Sequence, residues 1–155
     1  MKREDVAGRL DRAMQRLREA DLYLLENDLS ERCIASRLAL HLQDEFPDHD
    51  VDVEYNRWGE IAKRVPLSQE CAKRLNRDGE ALAVPDVIVH RRGKDGLNIL
   101  VLELKKTSNP AGWDCDRKRV LAFREHLGYE FGALIECETR RDEAYGIRIS
   151  AWIGD

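Results

Sequence analysis

Several things are scarce in this chain. Only four residues are cysteine (Cys33, Cys71, Cys115 and Cys137), and no two form a C-x-x-C pair. A Cys/His zinc site needs partners close in sequence, and there are none, so the cysteines read as reduced thiols acting as small buried hydrophobes. No run of 18 apolar residues occurs, so no transmembrane helix is expected. The opening residues Met1-Lys2-Arg3-Glu4-Asp5 lack the apolar stretch of a signal peptide, and a cytoplasmic protein is expected. There is no glycine-rich phosphate loop, no nucleophile elbow and no H-E-x-x-H zinc helix. A positive balance is missing too. Lys and Arg number 26 against 30 Asp and Glu, a net charge of −4. That excludes a uniformly basic coat for nucleic acid but leaves room for a local basic patch.

What is present suits a well-solvated globule with a real core. Charged residues reach 36% and apolar residues 43%. The length of 155 residues fits one domain. A chain of this size buries roughly 70% of its unfolded surface and needs no disulfide or metal staple. No internal repeat, low-complexity segment or linker interrupts it.

Residues 3–27 carry Val6, Leu10, Ala13, Leu17, Ala20 and Leu24 at alternating spacings of four and three, an a/d seam. This N-terminal amphipathic helix (1–28) either packs on its own domain or pairs two chains into a homodimer. Ser30 reads as an N-cap for a helix running to about Glu45, with Ile34, Leu38 and Leu42 inward. Glu31 begins on that stripe. Val51, Val53 and Tyr55 alternate with polar residues as a half-buried strand. Residues 57–80 are weakly patterned and read as a loop with a short helix, long enough to hint at function. Val84 to Arg91 and Asn98 to Lys106 form a hairpin about the turn Gly93-Lys94-Asp95-Gly96. A helix at 114–127 and strands at 131–138 and 147–153 complete the order ααβββαββ. The expected fold is α/β, with a mixed sheet of about five strands flanked by helices.

The hairpin carries the chemistry. Asp86 follows Pro85 at the start of its first strand, and Glu103 and Lys105 share one face of the second. Charged groups in strands this apolar cost several kcal/mol unless paired or bound to metal. A Glu103–Lys105 ion pair is the plain structural reading. The functional one is a hard oxygen site for Mg²⁺ or Mn²⁺, with a lysine to act on a water or on phosphate charge. That is the minimum equipment for metal-assisted phosphodiester hydrolysis.

At Pro85-Asp86 and Glu103-Leu104-Lys105 the chain resembles the PD-(D/E)XK nuclease superfamily, the restriction-endonuclease-like fold. The resemblance covers residues 30–138, with 1–28 and 139–155 as additions. It implies a three-layer core and a Mg²⁺-dependent nuclease. Asp86, Glu103 and the Leu104 carbonyl would ligate metal, and Lys105 would act on the water or transition state. Glu31, on the leading helix, would sit nearby or hold a second metal. Arg117, Lys118 and Arg119 on the following helix would face the phosphate backbone, as would Arg91, Arg92 and Lys106 as a basic rim. Nucleic acid is the implied partner, with DNA favoured over RNA. The alternative is a non-catalytic or conditionally active subunit of a larger defence or repair complex, working with a partner protein. A structural interaction protein built on the N-terminal heptads is a further rival. Trp58 and Trp113 could stack on bases, His90 shares Asp86's face, and Tyr55 and Arg57 could approach the site; core packing is the competing reading for each.

Overall fold

The structure, a computed structural model, describes residues 1–55, 57–58, 61–62, 64–94 and 96–154, the side chains of 57, 58, 61 and 62 excepted. The roles suggested for Trp58 and Arg57 therefore fall outside the described residues. The elements are α1 (Arg3–Ala20), α2 (Leu22–Glu26), α3 (Glu31–Glu45), β1 (Asp50–Val53), β2 (Arg57–Trp58), β3 (Ile61–Ala62), β4 (Arg74–Leu75), β5 (Ala81–Leu82), β6 (Val87–His90), β7 (Leu100–Lys106), α4 (Asp114–Leu127), β8 (Phe131–Glu138) and β9 (Gly146–Trp152).

Five strands form one mixed sheet in the order β1-β6-β7-β8-β9. Only β7 and β8 run parallel, joined by the α4 crossover; the other neighbours are antiparallel. Strand alternation splits the core between two faces. Val87, Val89, Leu100, Leu102 and Leu104 pack with α1 and α3 residues on one face. Ile88, Val101 and Leu134 pack with Val120 and Phe123 of α4 on the other. The expected α/β architecture is present. β2 to β5 form two small ribbons, and among the described residues no helix lies between 46 and 113. The short helix expected in 57–80 is thus replaced, over its described part, by extended chain whose Val65 and Ala81 pack on the α4 face.

The N-terminal seam packs on its own domain and differs from expectation in one way, a break near its end. Val6, Leu10, Ala13 and Leu17 are fully buried within the chain, where α1 packs on α3 and β9. Each large apolar side chain so buried stabilises by about 1.5–3 kcal/mol, and none is left to face a second copy. The seam therefore builds the core, the first of its two readings. The helix breaks at Asp21, whose carboxylate accepts from Arg37 Nε (2.9 Å) and lies 2.7 Å from His41 Nε2 of α3. The break shifts the register, so Leu25 is buried in place of Leu24, and Ala20 is exposed.

Local signals set the other helix ends. Ser30 Oγ accepts from the Cys33 N–H at 3.2 Å and caps α3. Gly128 takes the left-handed conformation (φ 70°) that ends α4. A Cβ on Gly132 of β8 would collide with Val120 Cγ1, so glycine is what lets α4 settle on the sheet.

Candidate active site

The register of one hairpin builds the site. Val87 pairs with Leu102 and Val89 with Leu100. Continued toward the start of β6, that register sets Asp86 opposite Glu103 and Pro85 opposite Leu104. The Pro85 carbonyl accepts from the Glu54 N–H at 3.0 Å and is therefore engaged elsewhere. The Leu104 N–H is instead taken by Asp86 Oδ2 at 2.7 Å. Asp86 and Glu103 both line a cavity on the α4 side, and Leu104 itself lines the same cavity.

Glu103 is wholly buried. Its Oε2 accepts from Lys73 Nζ (2.9 Å), Arg119 Nη2 (3.0 Å) and Arg119 Nε (3.2 Å). Its Oε1 is buried with no hydrogen-bond partner among the described residues. Burial, then the negative charge of Asp86, pushes the Glu103 carboxyl up to about 7 against the pull of Lys73 and Arg119. Lys73 Nζ also donates to Asp86 Oδ1 at 2.6 Å and so bridges the two carboxylates. Burial disfavours its ammonium, but Glu103 and Asp86 outweigh that and hold it above the usual lysine value.

Lys105 is turned toward α4. Its Nζ donates to Asp116 Oδ2 and the Gly112 carbonyl and lies 5.1 Å from the Trp113 ring centre. Asp116 accepts from Arg119 as well. Asp86, Glu103 and Asp116 thus stand against Lys73, Lys105 and Arg119, three charges of each sign. They line one cavity of about 410 Å³ that Glu31 also reaches. Glu31 Oε1 accepts from Asn109 Nδ2 at 2.9 Å. The Glu103–Lys105 ion pair of the plain structural reading is replaced by Glu103–Lys73, Glu103–Arg119 and Lys105–Asp116.

The four residues expected to act in catalysis therefore converge. The expected basic rim does not. Arg91 and Arg92 follow the far end of β6, about four strand residues or 13 Å from Asp86, because a hairpin's turn lies opposite its open end. Arg92 pairs there with Asp52 and Asp50. His90 is buried beside Asp52 and Tyr55, also at that end. Arg119 is no backbone-facing residue: only 11% of its side chain is exposed, and it is engaged by Glu103, Asp116 and the Cys71 carbonyl. Arg117 and Lys118 are exposed and outside the cavity lining. Lys106 pairs with Asp28 and lines an adjoining cleft with Trp113, Arg140 and Arg148.

Four participants lie outside the site expected from sequence: Asp116, Lys73, Cys71 and Cys115. Asp116 had a signal, since 116, 120, 123 and 127 form one helical stripe with Val120, Phe123 and Leu127. Lys73 had none, lying in unpatterned chain. Cys71 and Cys115 are joined in a disulfide across 44 residues, a distance that no short-range spacing announces. The expectation of four reduced thiols is thereby corrected. Cys33 and Cys137 are free, and only Cys137 is buried.

Among the described residues, no three His, Cys, Asp or Glu side chains gather into a cage for a metal ion. Mg²⁺ needs less: one or two carboxylates, with waters and substrate phosphate completing its shell. Asp86, the unpartnered Oε1 of Glu103 and the Leu104 carbonyl are hard oxygen donors of that kind. No family model, curated protein or solved structure matches the chain.

Proposed function

We propose that this protein is a Mg²⁺- or Mn²⁺-dependent nuclease with a site of the PD-(D/E)XK type. The observation that carries the reading is the neighbouring pair Asp86 and Glu103, one buried carboxylate oxygen of which is unpartnered. Two adjacent carboxylates in an apolar strand pair are costly and have no need to exist for stability alone.

Asp86 and Glu103 would hold the cation, with the Leu104 carbonyl beside them. The cation, when bound, polarises the phosphate and lowers the pKa of an attacking water. Lys105 has two of its three donors engaged by Asp116 and Gly112. Its third is available to a phosphate oxygen or the attacking water, so it fits a donor and orienting role better than a base. Asp116 fixes the lysine's direction. Glu31 and Asn109 close the cavity on the α3 side and can orient water there.

The test is a cleavage assay with Mg²⁺ or Mn²⁺ on plasmid, linear duplex, single-stranded DNA and RNA. Wild type and Asp86→Ala are compared, with EDTA controls. Metal-dependent cleavage by wild type alone supports the reading, and DNA is the substrate we expect. Equal cleavage by the variant would assign the activity elsewhere.

One observation favours the second reading, a binding or conditionally active subunit. Lys73 bridges the two carboxylates and, with Arg119 on Glu103, offsets their charge without metal. A subunit that never binds metal would show no Mn²⁺ uptake that depends on Asp86.

A further inference from the structure

Lys73 reaches the site from a segment that is fastened to α4. Cys71, two residues earlier, is bonded to Cys115, and the Cys71 carbonyl accepts from Arg119 Nη1 at 3.1 Å. Two residues span at most about 7 Å of chain, so the disulfide confines Lys73 to the neighbourhood of the carboxylates. Cys115 lines the same cavity and is half-buried, whereas Cys71 is 3% exposed.

We propose that Cys71–Cys115 is a redox latch on the cation site: while it is closed, Lys73 occupies the place between Asp86 and Glu103, and its reduction opens that place to a divalent cation. This rests on the metal-binding reading above. Lys73 Nζ lies 2.6 Å from Asp86 Oδ1 and 2.9 Å from Glu103 Oε2, so a divalent ion that takes both carboxylates must displace the ammonium. A tethered ammonium competes at an effective concentration set by its tether. With the disulfide open, Lys73 is held by the Arg119 contact and by the two pairs of the β4–β5 ribbon. Its effective concentration falls and the cation competes better.

The reductant is a dithiol. Its thiolate attacks Cys115 Sγ, the sulfur open to the cavity, and Cys71 leaves as a thiolate that takes a proton. The second thiol of the reductant then displaces Cys115 from the mixed disulfide. Two electrons reach the protein, which ends with two thiols, and the reductant ends as a cyclic disulfide.

The test titrates the full chain with Mn²⁺ and reads free ion by electron paramagnetic resonance, so that no cleavage is needed. Oxidised wild type is compared with wild type reduced by a dithiol and desalted anaerobically. Lys73→Met, which keeps the disulfide, and Asp86→Asn are run alongside, and thermal unfolding checks that each is folded. Reduction is expected to tighten Mn²⁺ binding at least about tenfold. Oxidised Lys73→Met should bind as tightly without reduction, and Asp86→Asn should not bind in either state. Equal binding by oxidised and reduced wild type overturns the latch and leaves the metal site standing. Absence of binding in every form, Lys73→Met included, overturns the metal site and the latch together. Tight binding by reduced wild type but not by oxidised Lys73→Met removes Lys73 from the device and overturns the proposal as stated.

Discussion

Asp86 and Glu103 share one ammonium: Lys73 Nζ lies 2.6 Å from Asp86 Oδ1 and 2.9 Å from Glu103 Oε2, while Asp86 Oδ2 accepts the Leu104 N–H at 2.7 Å. A carboxylate at the open end of the hairpin thus stands beside a fully buried one. If the pair holds the catalytic cation, Asp86→Ala and Glu103→Ala each lower metal-dependent cleavage by at least about 100-fold. Glu31→Ala, one shell further out, costs about 10-fold. Steady-state rates with circular dichroism as a folding check measure this, and a fully silent Glu31→Ala removes the leading helix from the site.

Asp116 has a different duty. It holds both Lys105 and Arg119, each only about a tenth exposed. Asp116→Leu leaves two nearly buried cations without their shared partner, and unfolding free energy should drop by about 3–5 kcal/mol. Urea denaturation gives the number; a loss below 1 kcal/mol means that the cations find other acceptors.

The far end of the sheet supplies a pH dependence. Burial raises the Asp52 carboxyl, but hydrogen bonds from Arg92 and His90 outweigh it and hold the group below its ordinary value. A carboxyl lowered by folding adds stability that is complete above its unfolded pKa, about 3.9, and is lost as pH falls through the folded value. Below about pH 4, wild type should lose melting temperature more steeply than Asp52→Asn. Parallel curves between pH 2 and 7 refute the assignment.

Gly132 sets how closely α4 approaches β8. Gly132→Ala drives a methyl group into Val120, and overpacking of this kind costs about 1–3 kcal/mol. Because α4 also carries Asp116 and Arg119, cleavage should fall along with stability. Val120→Ala in the same chain should restore part of both, which a purely local backbone effect at 132 would not permit.

Leu10→Ala addresses the seam. It should cost about 2–5 kcal/mol, since Leu10 is fully buried. Sedimentation should show the same mass for variant and wild type, because that side chain faces α3 and β9 and not a second chain.

Much of this was legible from local pattern. Ser30 and Gly128 mark helix ends because caps are satisfied within a few residues. The period-2 run at 51–55 marks β1, continuous apolar runs mark β6, β7 and β8, and Glu103 and Lys105 share a face because strand geometry leaves no alternative. The same hairpin reasoning should have removed Arg91 and Arg92 from the rim, since a turn and the open end of its strands are opposite by construction. The a/d seam was read correctly as apolar, but periodicity states only that a face is covered, not by what.

The sequence alone determined the order of the five sheet strands and the main helices, the two-faced sheet and the placing of Asp86 beside Glu103, each of which follows from neighbours in the chain or from one hairpin. Only the tertiary structure decided the charge partners. Lys73, Asp116 and Cys115 meet Glu103 and Lys105 because α4 crosses from β7 to β8 over one face and the segment before β6 folds onto that same face. Contacts of this kind depend on how layers stack, and stacking is a sum over the whole core that no single stretch of residues encodes.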